Sequence, residues 1–380
     1  MQGREGLALL PVSCLSDRIF GEHCGGAMQA GSTGGNPAFG GQLLMVGLPG
    51  PRLDEVAREL IRELKVGGVI LFARNLTEGP EAAGAFIREL QQEAAAAGAP
   101  PLLVSIDQEG GPVQRLKEPL TRIPAARELG ERATPGEVEA LARQVGRELA
   151  LVGVNMNLAP VLDVARNAAC PLYDRSYGAD AQHVAAYGGA AIRGYLAGGV
   201  LPTAKHFPGL GDTTVDSHKV LPRAVSPDPL RELDLHPFRQ AVAQGVPAVM
   251  TAHLTVPAWE ERPATLSPVA LTTWLRGRLG FGGVIITDDL EMGAIAEKTT
   301  VAPAAAEALA AGADLLLICT DVEGARGAAR LIAGEAALVP RVTESAARLR
   351  RLRERLTLPP PLAHLRDYLA CPRLGGGERK

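Results

Sequence analysis

Two histidines and two aspartates fall within fourteen residues of this 380-residue chain, in the segment Lys205-His206-Phe207-Pro208-Gly209-Leu210-Gly211-Asp212-Thr213-Thr214-Val215-Asp216-Ser217-His218. Pro208, Gly209 and Gly211 interrupt helix and strand alike, so the segment reads as a loop. Three readings are open on spacing alone. The four side chains could hold a metal, although they lack the HxH or HExxH spacing of common sites. They could form a proton-transfer pair, in which a carboxylate orients an imidazole and supports its charged form. Or they could be a solvated polar loop without chemistry.

Other ionisable residues follow short apolar runs in the same manner. Asp107, Gln108 and Glu109 follow the third run, and Asn157 and Asp163 the fourth. Lys205 and His206 follow the fifth, His253 the sixth, Asp288 and Asp289 the seventh, and Asp321 the eighth. Any one of these aspartates could simply cap the next helix. Together they describe a pocket with several carboxylates and few cations, suited to a neutral, hydroxyl-rich ligand.

The elements that must position them are legible as a pattern. The eight runs cover 42–46, 69–72, 102–106, 154–158, 201–204, 248–252, 284–287 and 315–319. They are near-continuous apolar stretches, as expected of parallel strands buried on both faces. Amphipathic helices lie between them. Leu53, Val56, Leu60, Ile61 and Leu64 mark one apolar face; Val138, Leu141, Val145 and Leu149 mark another, begun by Thr134 as N-cap with Pro135 after it. Eight βα units over about 310 residues predict an α/β fold, a single (β/α)8 barrel of the TIM type, with a doubly wound open sheet as the alternative. The predicted organisation is a low-complexity, disordered extension over 1–40, the barrel over 41–357 and a loose Pro- and Gly-rich tail over 358–380. The closing helix, about 343–356, carries Arg348, Arg350, Arg351, Arg353 and Arg355, read as a solvated face with acidic partners such as Glu354.

Composition narrows the class. Thirty-nine Lys and Arg against forty-two Asp and Glu give a net charge of -3, which draws the chain toward neither nucleic acid nor anionic lipid. Hydrophobic residues are 46% and charged ones 21%, excluding a wholly disordered or collagenous chain. No apolar run approaches the roughly 18 residues of a membrane span. Five cysteines without a CxxC pair indicate a reduced compartment and free thiols, Cys14 and Cys24 included. The stretch from Leu7 to Leu15 follows Arg4 like a signal, but Glu5 and Pro11 sit badly in one. A cytoplasmic location and a monomer are expected.

The motifs now assembled resemble glycoside hydrolase family 3, most closely its bacterial β-N-acetylglucosaminidases. Lys205 to Gly209, Gly211-Asp212 and Asp216-Ser217-His218 with Leu221-Pro222 resemble the family signature. Gly67 to Phe72, Ile106 to Gly111, Asn157 to Asp163, Asp174 to Gly178 and Ile286 to Met292 resemble further family segments in the expected order, so the likeness spans about residues 41–350. It implies that Asp288 is the nucleophile of a retaining mechanism with a covalent glycosyl intermediate. It implies His218 as general acid/base, Asp216 as its carboxylate partner, and Asp289 as structural. Asp107, Arg175, Lys205 and His206 match residues holding the terminal sugar's hydroxyls, and His253, at the end of a neighbouring strand, is read as pocket wall. No cofactor or metal is implied. The expected substrate is a small carbohydrate, a GlcNAc-containing muropeptide or chito-oligosaccharide from cell-wall turnover. Relatives acting on plain glucosides place a Glu acid/base in a later domain, which this chain ends too soon to hold.

Two positions depart from the pattern: Leu210 stands where a second His is common, and Pro112 where an Arg usually follows Glu-Gly-Gly. Three alternatives accompany the hydrolase reading. A His acid/base tolerates phosphate as acceptor, which would make a phosphorylase. The altered loop could leave a sugar-binding barrel without catalysis. A metal-dependent hydrolase would lose activity to a chelator.

Overall fold

The computed structural model describes residues 36–217, 219–224 and 228–371. The expectations attached to residues 1–35, with Cys14 and Cys24, to His218 and to 372–380 lie outside the described residues. Eight parallel strands follow in sequence: β1 (Leu44–Gly47), β2 (Gly68–Leu71), β3 (Leu103–Ile106), β4 (Met156–Asn157), β5 (Leu201–Phe207), β6 (Ala248–Thr251), β7 (Val284–Ile286) and β8 (Leu316–Ile318). Each pairs with the next, β8 returns to β1, and a bridge between Ile286 and Leu315 joins β7 to β8. Thr287 N–H donates to Leu315 O at 3.0 Å and Leu290 N–H to Leu317 O at 3.0 Å across that seam. The sheet is therefore the expected barrel, with every strand residue buried.

The eight following helices are α1 (Glu55–Arg62), α2 (Gly79–Ala96), α3 (Pro135–Val152), α4 (Ala181–Ala197), α5 (Asp228–Ala243), α6 (Val269–Arg278, of π type), α7 (Val301–Ala311) and α8 (Val322–Gly334). Their starts follow local chemistry. Thr134 and Glu137 form a capping box at α3, and Asp54 accepts the Ala57 N–H at α1 at 2.8 Å. Gly153 ends α3 with φ +108, a left-handed conformation that costs other residues energy.

Four differences from the sequence reading have identifiable causes. First, β5 runs to Phe207, so Lys205 and His206 are strand residues and the loop begins at Pro208. Main-chain bonds hold this extension: Leu162 N–H to Lys205 O at 2.6 Å, Lys205 N–H to Pro160 O at 3.2 Å, and pairing of Phe207 with Thr251. Second, the closing helix α9 is Val339–Arg353, and its arginines divide. Arg350, Arg351 and Arg355 are exposed, whereas Arg348 pairs with the buried Asp314 at 3.0 Å and Arg353 donates to Pro101 O and Gly67 O. Third, the chain beyond 358 is not loose throughout. Helix α10 (Leu362–Ala370) lays Leu365, fully buried, and Leu362 over Gly84 of α2, where an added Cβ would come 2.9 Å from Leu365 Cδ2. Arg366 pairs with Glu81 at 2.6 Å, and the Tyr368 hydroxyl donates to the buried Glu148. Fourth, a short helix Pro37–Gly41, capped by Asn36, begins inside the predicted extension and runs to the first residue of the predicted barrel. It packs closely on α8, an added Cβ at Gly40 meeting Ala329 O at 2.3 Å.

Truncating Leu365 to Ala is expected to cost about 2–4 kcal/mol through lost burial and a residual cavity. A urea midpoint and amide exchange across 362–370 measure it; unchanged protection there would show that the docking does not hold the helix.

Candidate active site

The C-terminal ends of the strands open into one cavity of about 530 Å³, lined by charged residues on one side and by Pro171, Leu172, Leu210 and Met292 among its apolar lining. This size is ordinary for a small-molecule site. Asp107 follows β3 directly, and the chain then turns through a short hairpin of Gln108–Gly110 and Val113–Gln114. Gly110 and Gly111 take φ +109 and +53, conformations a Cβ would strain, and so permit the turn. Asn157 at the end of β4 grips its start, accepting the Gln108 N–H and donating to Gln108 O, both at 3.0 Å. Asn157 is fully buried and serves the hairpin, not the pocket.

That hairpin delivers Glu109 against two cations. Arg175 binds its carboxylate through two parallel bonds of 2.8 Å, the fork geometry that suits guanidinium to carboxylate. Lys205 Nζ lies 2.6 Å from Glu109 and 2.8 Å from Asp107. Lys205 is only 2% exposed, so its charge depends on these partners. Burial alone would raise the Glu109 pKa, but Lys205 and Arg175 outweigh it and hold the carboxyl well below its usual range. Burial would likewise lower the Lys205 pKa, and Asp107 and Glu109 reverse that. These four charges balance in pairs, with Arg115 also 3.7 Å from Asp107, and their remaining hydrogen-bonding edges line the cavity. Such edges match hydroxyl groups better than an ionic ligand.

His206 is held from behind. Asp163, fully buried, accepts from the His206 N–H at 3.2 Å, the His206 Nδ1–H at 2.7 Å and the Leu210 N–H at 2.6 Å. With Nδ1 donating to the carboxylate, a neutral His206 keeps Nε2 as its acceptor.

Asp288 and Asp289 lie side by side after β7 in different surroundings. Burial raises the Asp288 pKa, but His206 and His253 nearby lower it further, and the Asp289 N–H donates to its Oδ1 at 2.9 Å. The carboxyl is kept below its ordinary range and is ionised at neutral pH. Asp289 is pushed up to about 6 by burial and by Glu291, while its Oδ1 accepts from Glu291 N–H and Cys319 N–H at 3.2 and 3.3 Å. Two neighbouring carboxyls with separated pKa values divide naturally into a reactive and a supporting group.

The structure thus brings Asp107, Arg175, Lys205, His206, Asp216 and Asp288 to one cavity. His218 lies outside the described residues. Two expectations are corrected. His253 is not pocket wall: it is fully buried behind the lining and bonded to Thr265 and Asp289. Asp321 does not face the mouth, because its carboxylate caps α8 through the Gly324 N–H at 2.8 Å. Of the residues considered as metal ligands, His206 gives Nδ1 to Asp163 and Asp212 lies 4.0 Å from Arg166, and among the described residues no three His, Cys, Asp or Glu side chains are grouped to hold a metal. Of the two departures, Pro112 is exposed at the hairpin tip and away from the lining. Leu210 does line the cavity, within an apolar cluster with Cys170, Leu172 and Leu254. The roles of Glu109 and Asp163 were not read from sequence; the only signal was an acidic residue beside each strand end.

A family model described as Glycosyl hydrolase family 3 N terminal domain matches residues 39–352. A beta-hexosaminidase of Alkalilimnicola ehrlichii is 38% identical over 291 residues, 74% of this chain and 81% of that protein. A family 3 beta-N-acetylglucosaminidase structure from a Paenibacillus strain superposes with a TM-score of 0.82 at 41% identity, over 90% of this chain and 65% of that one, so this chain spans a little under two thirds of it. A beta-N-acetylhexosaminidase structure from Beutenbergia cavernae gives 0.78 at 32% identity, over 85% and 98%. A parallel barrel whose strand ends bring an ionised carboxylate and paired charges into one cavity is built like the active site of an enzyme. The chain belongs to glycoside hydrolase family 3 and is a hydrolase of O-glycosyl bonds. Among the described residues no helix is long and apolar enough to cross a membrane.

Replacing Glu109 with Gln leaves the buried Lys205 and the partly buried Arg175 each short of a partner and is expected to cost about 3–5 kcal/mol at pH 7. The native Glu109 pKa is depressed, so its contribution is complete above the unfolded value of about 4.3 and fades as pH falls below it. The gap between wild type and Glu109→Gln, measured by urea unfolding, should therefore narrow below about pH 4. A gap independent of pH would contradict the ionised pairing.

Proposed function

We propose that this enzyme is a retaining exo-β-N-acetylglucosaminidase, releasing terminal β-linked GlcNAc from small cell-wall turnover fragments. The observation that carries the reading is the ionised Asp288 in the lining of a cavity where Lys205 and Arg175 are paired with Asp107 and Glu109. The names of the relatives supply the sugar. Asp107, Arg175, Lys205 and His206 hold the terminal sugar's hydroxyls. The Asp288 oxygen attacks the anomeric carbon and the bond to the leaving oxygen breaks. His218, oriented by Asp216, gives that oxygen its proton and then takes one from water as the glycosyl–Asp288 ester is hydrolysed. Asp216 lines the cavity as this role requires. The same reading keeps the enzyme in the cytoplasm, as a monomer acting on GlcNAc-containing muropeptides.

The test is hydrolysis of 4-nitrophenyl N-acetyl-β-D-glucosaminide in buffer with EDTA and without phosphate. Wild type is expected to release nitrophenol and to form the β anomer of GlcNAc first by proton NMR. Asp288→Asn should lose several orders of magnitude, and Asp216→Asn about 10²–10⁴-fold on substrates with poor leaving groups. The α anomer appearing first, or an undiminished Asp288→Asn variant, would overturn the mechanism.

A further inference from the structure

His253 stands at the end of β6, one strand from Asp288, with no exposed surface. Its Nε2 lies 2.7 Å from the carbonyl oxygen of Asp289, and its Nδ1 2.8 Å from the hydroxyl of Thr265. A carbonyl oxygen can only accept, so Nε2 carries the proton of that bond. Thr265 sits in turn 3.0 Å from Ala252 O and 2.8 Å from the Thr251 hydroxyl, which fixes the far side of the ring.

The bond falls on the residue that follows the nucleophile. Asp289 is held at both ends of its own backbone. Its N–H donates to Asp288 Oδ1 at 2.9 Å, and its carbonyl accepts from His253. Leu290 N–H continues the hold onto Leu317 O at 3.0 Å. The direction of the Asp289 N–H sets which way the Asp288 carboxylate turns, and the His253 bond limits rotation of that residue. Ring position and nucleophile orientation are mechanically joined through one residue.

We infer that His253 is a positioning residue for the covalent step: it holds the Asp289 backbone so that the Asp288 carboxylate stays aimed at the anomeric carbon, and it does not touch the sugar. The inference rests on Asp288 being the nucleophile. Misplacing a reacting group by about 1 Å can cost on the order of a hundredfold in rate, which sets the scale of the effect.

The experiment isolates that step with a 5-fluoro glycosyl fluoride of N-acetylglucosamine. The Asp288 oxygen bonds to C1, the C1–F bond breaks, and fluoride leaves with the electron pair, needing no proton from the acid/base. The glycosyl-enzyme accumulates and is counted by intact mass. His253→Leu is expected to label about a hundredfold more slowly at saturating probe, with its Kd for GlcNAc unchanged. His253→Gln, whose amide N–H reaches toward the same carbonyl, should recover most of the rate. Thr265→Val, which releases the far side of the ring, should slow labelling less than His253→Leu and serves if the latter does not fold. Labelling of His253→Leu at the wild-type rate, or lost sugar affinity in place of lost rate, overturns the proposal. Equal loss in His253→Leu and His253→Gln also overturns it. Failure of wild type itself to label at Asp288 would fall on the nucleophile assignment instead.

Discussion

A lysine ammonium with almost no exposed surface cannot stand alone inside a barrel. Moving such a charge out of water costs several kcal/mol, and the cost is offset only by well-placed opposite charges. Lys205 meets this constraint with two carboxylates, Asp107 from the end of β3 and Glu109 from the hairpin beyond it. Glu109 is in turn closed off by Arg175 from the β4 connection. Three segments distant in sequence must therefore meet at one point before the charges are tolerable. The upper rim of the barrel is organised by this requirement, and the resulting row of oriented donors and acceptors is what a sugar would meet.

Around this constellation, buried polar side chains act as braces. Asn157 secures the hairpin, Asp163 secures both His206 and the first turn of the loop, and Thr265 with His253 secures the Asp289 backbone beside Asp288. Each is bonded to main chain, so each fixes where a segment goes. Each would be costly if left unsatisfied, which makes these positions strongly determined once the fold forms. Side chains that line the cavity are thus backed by others that hold the main chain in place.

Most of the barrel could be read from sequence, because strands buried on both faces are continuous apolar runs and helices between them show a 3.6-residue period. The reading failed where structure is held by distant partners. Lys205 and His206 look like loop residues, yet main-chain bonds to 160–162 keep them in β5. Helix α10 depends on Tyr368 reaching Glu148 and Leu365 reaching Gly84, contacts that no local pattern announces. In the site, residue types after the strands marked the region correctly but not the roles. Asp321 and Asp288 looked alike; one caps a helix and the other faces the cavity. His253 and His206 looked alike too; both are buried, and only His206 lines the cavity. The division of roles between Asp288 and Asp289 came from family resemblance alone; what the structure adds is that their surroundings shift the two carboxyls in opposite directions.

Leu210 is tied to Asp163 through its amide, while its isobutyl group packs in the apolar cluster. The grip on the loop is thus indifferent to which amino acid, other than proline, occupies the position. Such a site is free to drift. The same freedom lets evolution, or an engineer, reshape one face of the cavity without untying the segment that brings Asp216 to it.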